Sequence, residues 1–217
     1  MKINKKKFLY LISPNKILKS FYGDLIKVLQ SNKISFFQLR LKKYSYENKI
    51  KIAKKVKKIC DKFKVKFLIN DDPELAKKIN ADGCHIGQKD MNITDARKLL
   101  KKKIIGVTCH NSLRLAKIAY KNNANYIAFG AFNSSKTKKV KFKADIKIIK
   151  KLKKTSNIPV VAIGGINNLN YKKLLLNKAD FLAISGYVWN NKKLKPIEAI
   201  KLLKLRLMQM KLEWVCF

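Results

Sequence analysis

A chain of 217 residues is long enough for one ordinary domain or one small barrel, and its 47% hydrophobic content excludes a disordered basic tail. The formal net charge of +38 comes almost wholly from Lys, since Arg occurs only as Arg40, Arg97, Arg114 and Arg206. The lysines are spread over nearly every predicted helix and no aromatic residues interleave with a basic stripe, so nucleic acid is not the expected partner. Small phosphorylated molecules are. In chain order, Phe8–Ile12 is strand one and Asn15–Ser31 a helix. Ser35–Leu39 is strand two, and Ser45 is set to cap a helix reaching Phe63. Val65–Asn70 is strand three, Pro73 opens a short helix through Ile79, and Gly83–Ile86 is strand four. Ile93–Lys102 is helical, Ile104–Val107 is strand five, Asn111 caps a helix to Asn122, and Tyr126–Phe129 is strand six. Asp145–Thr155 is helical, Pro159–Ile163 is strand seven, Asn167 opens a helix to Asn177, Phe181–Ile184 is strand eight, and Pro196–Met208 is a last helix.

Each strand is nearly all apolar, as parallel strands buried on both faces are. Eight strands alternating with helices in a chain just over 200 residues predict an α/β fold, a single-domain (β/α)8 TIM barrel over residues 1–208, with 209–217 as a C-terminal tail. An open doubly wound sheet competes, but it wants a Gly-rich turn after strand one, where Ser13-Pro14-Asn15 stands instead. No apolar run approaches the ~20 residues of a membrane span. The basic Met1–Lys7 stretch is followed by an apolar run too short for a signal sequence, so a cytoplasmic protein is expected. Cys60, Cys84, Cys109 and Cys216 form no CxxC pair and are read as reduced thiols.

In such a barrel only residues just after strands are candidates for chemistry. Alternation places Gln38, Arg40 and Lys42 on one side, toward the mouth. Arg40 offers a planar fork and Lys42 a point charge for a diphosphate, though a solvated strand end also accounts for Lys42 alone. Asn70, Asp71, Asp72 and Asp90 are among only 13 acids. Asp71 and Asp90 fit the one or two carboxylates that Mg²⁺ takes, with helix capping as the alternative; Asp72, directly before Pro73, fits an N-cap. Thr108 after strand five offers a hydroxyl to an anion. His85 and His110 are read as packing or orienting residues, and no nucleophile–base set stands out. The loop from Gly130 to Lys139, holding Ser135, Thr137 and Lys138, is polar and basic. Gly164-Gly165 and Ser185-Gly186 occupy the positions where this fold binds phosphate. Together these point to joining two phosphorylated small molecules.

The ordered set QLRLK (Gln38–Lys42), NDD (Asn70–Asp72), DGCHIGQ-D (Asp82–Asp90), GVTCH (Gly106–His110), AFGAF (Ala128–Phe132), the S-K-T-K loop, IGGI (Ile163–Ile166) and ISG (Ile184–Gly186) resembles the thiamine-phosphate synthase family from about Tyr10 to about Trp189. The resemblance implies a Mg²⁺-dependent transferase that condenses hydroxymethylpyrimidine diphosphate with a thiazole phosphate, releasing diphosphate. Carried over residue by residue, Gln38, Arg40, Lys42, Asn70, Thr108 and Lys138 would hold the pyrimidine diphosphate. Of these, Arg40, Lys42, Thr108 and Lys138 would be the catalytic groups. Asp71 and Asp90 would ligate the metal, and Ser135, Thr137, Gly165, Ile184 and Ser185 would grip the thiazole phosphate. Thr108 replaces a frequent Ser, Ser135 a frequent Thr, and Lys89 a frequent acid. Two rivals remain at this point: the thiazole tautomerase branch of the same superfamily, which needs no diphosphate clamp, and a basic nucleic-acid-binding protein on an inactive barrel. A homodimer stays open.

Overall fold

The computed structural model describes residues 8–134 and 142–203. Eight parallel strands close into a barrel in sequence order, with the last pairing with the first. They are β1 (Leu9–Ile12), β2 (Ile34–Leu39), β3 (Lys66–Asn70), β4 (Gly83–Ile86), β5 (Ile104–Thr108), β6 (Tyr126–Phe129), β7 (Val160–Ile163) and β8 (Phe181–Ile184). The helices between them are α1 (Phe21–Gln30), α2 (Tyr46–Lys62), α3 (Pro73–Lys78), α4 (Ile93–Leu100), α5 (Leu113–Lys121), α6 (Lys147–Lys153) and α7 (Tyr171–Leu176), with α8 (Gly186–Trp189) after the last strand. Residues 196–203 are helical as well. The rest of the Pro196–Met208 expectation, the domain boundary at 208 and the 209–217 tail lie outside the described residues.

Two apolar cores follow from strand alternation. Outward residues such as Leu11, Phe37, Phe67 and Ile105 join the helices in one large core. Inward residues Tyr10, Phe36, Leu68, Tyr126, Val161 and Phe181 fill the barrel itself. Phe36 sits edge-on to Phe181 at 5.0 Å between ring centroids and tilted to Tyr10 at 5.4 Å, so aromatic rings plug the interior.

The N-terminal rim is braced by a repeated device in which the side chain of the residue just before one strand accepts an N–H from the first or second residue of the strand before it. Asp82 accepts from Phe67 N, Asn125 from Ile105 N, and Asp180 from Val160 N. Arg97 of α4 adds a clamp there, its guanidinium donating to the Lys103 and Asn123 carbonyls and to Asn125 Oδ1. Asp82, Asp180 and Arg97 are thereby assigned to stability, as expected of that face.

Ser45 caps α2 and Asp72 caps α3 as the sequence predicts, accepting from Asn48 N and Leu75 N. Four helix starts differ from expectation, three of them because an Asn side chain is used elsewhere. α1 begins at Phe21, not Asn15, whose Oδ1 accepts a hydrogen bond from Arg40. α5 is capped by Ser112, not Asn111, which accepts from Asp145 N. Asn167 closes a turn on Leu169 N and Asn170 N, so α7 starts at Tyr171. α6 likewise begins at Lys147, whose N–H bonds to Asp145 Oδ1, two residues after the expected start. α8 is unforeseen by sequence; Trp189 Nε1 ties it to the Ile12 carbonyl at 2.7 Å.

Candidate active site

The C-terminal strand ends gather the polar residues that the rest of the barrel lacks. On β2, Gln38 continues the inward row of Phe36 and is 2% exposed. Its Nε2 donates to Asn70 Oδ1 at 2.9 Å, locking two carried-over residues side by side across neighbouring strands. Arg40 is anchored by its backbone, whose N–H donates to Ser13 Oγ at 2.9 Å, and by its guanidinium, which donates to Asn15 Oδ1 at 2.7 Å. Burial lowers the Arg40 pKa against the charge of Asp71, though not enough to threaten its positive charge.

β3 and β4 end side by side, and Asp71 and Asp90 meet there within hydrogen-bonding contact. Asp71 takes a left-handed backbone, φ 65°, a conformation that Asp tolerates better than most residues. Its N–H donates to the His85 carbonyl at 2.7 Å. Lys42 Nζ lies 2.8 Å from Asp71 Oδ2, so a compensating cation stands beside the acids. Burial favours the neutral acid at Asp71, but the Lys42 ammonium and the Asp90 contact hold its pKa below the usual value. Asp90 accepts from Gly87 N at 2.7 Å, yet burial and the facing Asp71 keep its pKa above the usual value.

That opposition gives a first prediction. An acid whose folded pKa is raised binds more protons folded than unfolded, so it costs stability as pH rises through and above the ordinary carboxylate pKa of about 4. Asp90→Asn keeps an acceptor for Gly87 N and removes the like charge. In metal-free buffer near neutrality its melting temperature should exceed that of wild type, and the gain should vanish in acid where Asp90 is already protonated. A melting temperature lower than wild type at neutral pH would show that the two carboxylates do not repel.

Thr108, at the end of β5, is tied to the barrel interior: its Oγ1 lies 2.7 Å from His85 Nε2, while His85 Nδ1 lies 2.9 Å from the Tyr126 hydroxyl. The Gln88 side chain donates to the Thr108 carbonyl. His85 is thus an orienting residue, as its sequence context implied. His110, at φ 51°, lies tilted against Phe142 with ring centroids 4.2 Å apart. A cavity of about 330 Å³ adjoins Lys42, Asn70 and Asp71, but its apolar wall of Leu39, Leu41 and Ile69 alternates with the inward residues. It therefore flanks the acids on their helix side; the mouth belongs to Gln38, Arg40, Asn70 and Thr108.

Across the mouth, Gly165 has φ 57°, and a side chain there would run into the Ser134 carbonyl and Asn133, so only glycine lets the two loops lie this close. Asn170 Nδ2 holds the Gly165 carbonyl at 2.8 Å. Ile184 is buried, and Ser185 Oγ donates to the Ser13 carbonyl at 3.1 Å, joining β8 to β1. Ser135, Thr137 and Lys138 lie outside the described residues. Ser13, Asn15 and Tyr126 were not among the sequence candidates. Ser13 could have been found as the first residue after β1, whereas the tyrosine's position depends on barrel register, which no local pattern reveals.

Among the described residues no three His, Cys, Asp or Glu side chains form a metal cage. The donors are two carboxylates, one held ionised and one crowded by its neighbour, a set that fits a Mg²⁺ ion completing its shell with water and phosphate oxygens. Cys60, Cys84 and Cys109 are buried free thiols, and no described helix is long and apolar enough to cross a membrane.

Comparison with known proteins agrees with this geometry. A thiamine-phosphate synthase of Pelagibacter ubique is 67% identical over 207 residues, covering 94% of this chain and all of that protein. One from Rhodospirillum centenum is 38% identical, covering 84% of this chain and 89% of its own length. The solved thiamine phosphate pyrophosphorylase of Pyrococcus furiosus superposes with a TM-score of 0.81 at 26% identity, covering 95% of this chain and 97% of that one. The family model described as thiamine monophosphate synthase matches residues 9–188, which takes in every strand of the barrel and both carboxylates, and the chain belongs to that family of transferases.

Proposed function

We propose that this enzyme joins hydroxymethylpyrimidine diphosphate to thiazole phosphate, giving thiamine phosphate and diphosphate, with Mg²⁺ held by Asp71 and Asp90. The observation that carries the proposal is the pairing of those acids at the ends of β3 and β4, with Lys42 on Asp71 and Arg40 on the adjoining strand. When bound, the ion supplies positive charge to the leaving diphosphate. Arg40 and Lys42 add fixed cationic donors to the same anion, and a preorganised cationic site acts most where charge develops. Gln38 and Asn70, fastened to each other, present their remaining polar atoms to the pyrimidine end, and Thr108 presents its hydroxyl. Lys138 belongs to this set by resemblance. Gly165, Ile184 and Ser185, with Ser135 and Thr137, are assigned the thiazole phosphate.

The carbon–oxygen bond breaks with its electron pair leaving on the diphosphate, and the thiazole nitrogen supplies the pair that forms the new carbon–nitrogen bond. Neither step calls for a protein nucleophile, which accords with His85 being committed to Tyr126 and Thr108. The buried thiols suit the reducing cytoplasm.

The test mixes the purified protein with both substrates and follows thiamine phosphate with Mg²⁺, with EDTA, and with EDTA followed by excess Mg²⁺. Product in the first and third samples alone is the expected result. Equal rates in EDTA would remove the metal assignment, and absence of product from folded protein would remove the reaction.

A further inference from the structure

A chain of hydrogen bonds runs from the sealed interior of the barrel to its mouth. Tyr10 Oη lies 2.8 Å from Tyr126 Oη, Tyr126 Oη lies 2.9 Å from His85 Nδ1, and His85 Nε2 lies 2.7 Å from Thr108 Oγ1. Tyr10 and Tyr126 are 1% and 0% exposed; Tyr10 belongs to the apolar cluster that fills the barrel, its ring centroid 5.4 Å from that of Phe36, and among the described residues its hydroxyl bonds to Tyr126. Each hydroxyl has one proton and neutral imidazole has one; turning the Tyr126 proton out of the chain would strand a buried donor, so the protons are ordered in one of two directions.

In the inward direction Thr108 donates to Nε2, Nδ1–H donates to Tyr126, and Tyr126 donates to Tyr10. The Tyr10 O–H is then left with no acceptor among the described residues. In the outward direction Tyr10 donates to Tyr126, Tyr126 donates to Nδ1, Nε2–H donates to Thr108, and the Thr108 O–H is delivered to the mouth. A buried donor without an acceptor is the costlier defect, so the outward order is selected. Burial raises both tyrosine pKa values, which keeps the two phenolic protons in place.

We infer that Tyr10, Tyr126 and His85 are positioning residues that set the Nε2–H tautomer of His85 and so free the Thr108 hydroxyl proton to be donated to its substrate. The Thr108 hydroxyl proton is thereby offered to an acceptor on the substrate, a phosphoryl oxygen or an unprotonated ring nitrogen. The direction of the chain stands on the geometry alone; its use rests on the reading of Thr108 as a substrate contact.

The chain has only two histidines, so the imidazole ¹⁵N signals of the intact protein are simple to assign, with His110→Asn removing the other set. In neutral to mildly alkaline buffer the proton should sit on Nε2 of His85, with Nδ1 showing the shift of a hydrogen-bonded acceptor. In Tyr126→Phe the Nδ1 signal should move to that of an acceptor without a partner. Kinetically, Thr108→Val should lose about tenfold or more in kcat/KM while Thr108→Ser retains it. Tyr126→Phe should lose kcat/KM too, and Tyr126→Phe combined with Thr108→Val should be no worse than Thr108→Val alone. A proton on Nδ1 of wild type would overturn the direction of the chain. Additive losses in the double variant would overturn the action of Tyr126 through Thr108. Wild-type kinetics in Thr108→Val with the proton still on Nε2 would instead bring down the substrate contact.

Discussion

Asp71→Asn should lower kcat/KM by on the order of 10²- to 10³-fold while the barrel melts within a few degrees of wild type. The two side chains are isosteric, and Asn, like Asp, accepts the left-handed backbone that position 71 adopts at φ 65°. An amide oxygen can still accept from Lys42, and that ion pair is worth little to stability because the Lys42 side chain is 53% exposed. What disappears is one of the two negative charges that fit a divalent cation, together with the crowding that keeps the Asp90 pKa high. Titration of activity against Mg²⁺ separates the effects: a metal ligand gives a curve displaced to higher Mg²⁺, and a residue that only orients Lys42 gives an undisplaced curve of lower height. Near-normal turnover of Asp71→Asn at limiting Mg²⁺ would sink the assignment. Asp71→Ala is the less informative variant, since alanine at a left-handed position adds backbone strain of its own.

The barrel is legible in the sequence because parallel strands covered on both faces are apolar at nearly every position, and runs such as Tyr126–Phe129 and Phe181–Ile184 mark them to the residue. Helix starts are less legible where a side chain can bond to the backbone in several ways. Asn15, Asn111 and Asn167 all look like helix starts, but the first two are taken by tertiary partners, Arg40 and Asp145, and the third by a local turn. α8 is a single turn of four residues, too short to show a period. Asp71 and Asp90 stand out as acids at strand ends in a chain with few acids. Their partner Lys42 does not stand out among so many lysines, and the bond between Gln38 and Asn70 depends on strand register. The interior chain from Tyr10 to Thr108 joins residues up to 116 positions apart and becomes visible only once the barrel closes.

Gly106→Ala should be among the most damaging conservative changes in the barrel, costing about 3 kcal/mol or slightly more. Gly106 lies in β5 beside Tyr126 of β6, and a methyl group on it would run into the Tyr126 ring and hydroxyl. A flexible neighbour would swing aside, but this ring cannot do so cheaply. Its hydroxyl is held by Tyr10 and His85, and its face packs against Phe36 at 6.0 Å in a fully buried layer. The clash therefore pushes the backbone of β5 and β6 apart or breaks the hydrogen-bond chain, and either outcome also moves Thr108, two residues further along the same strand. For a chain of this size the loss corresponds to a drop of roughly 6 to 12 °C in melting temperature, read by calorimetry, with kcat/KM falling at temperatures where the protein is still folded. Tyr126→Leu, which removes the ring, should recover part of the stability of Gly106→Ala when the two are combined, because the pair shares one volume. Full additivity of the two changes, or a Gly106→Ala protein that melts with wild type, would show that the glycine is not there to admit the tyrosine.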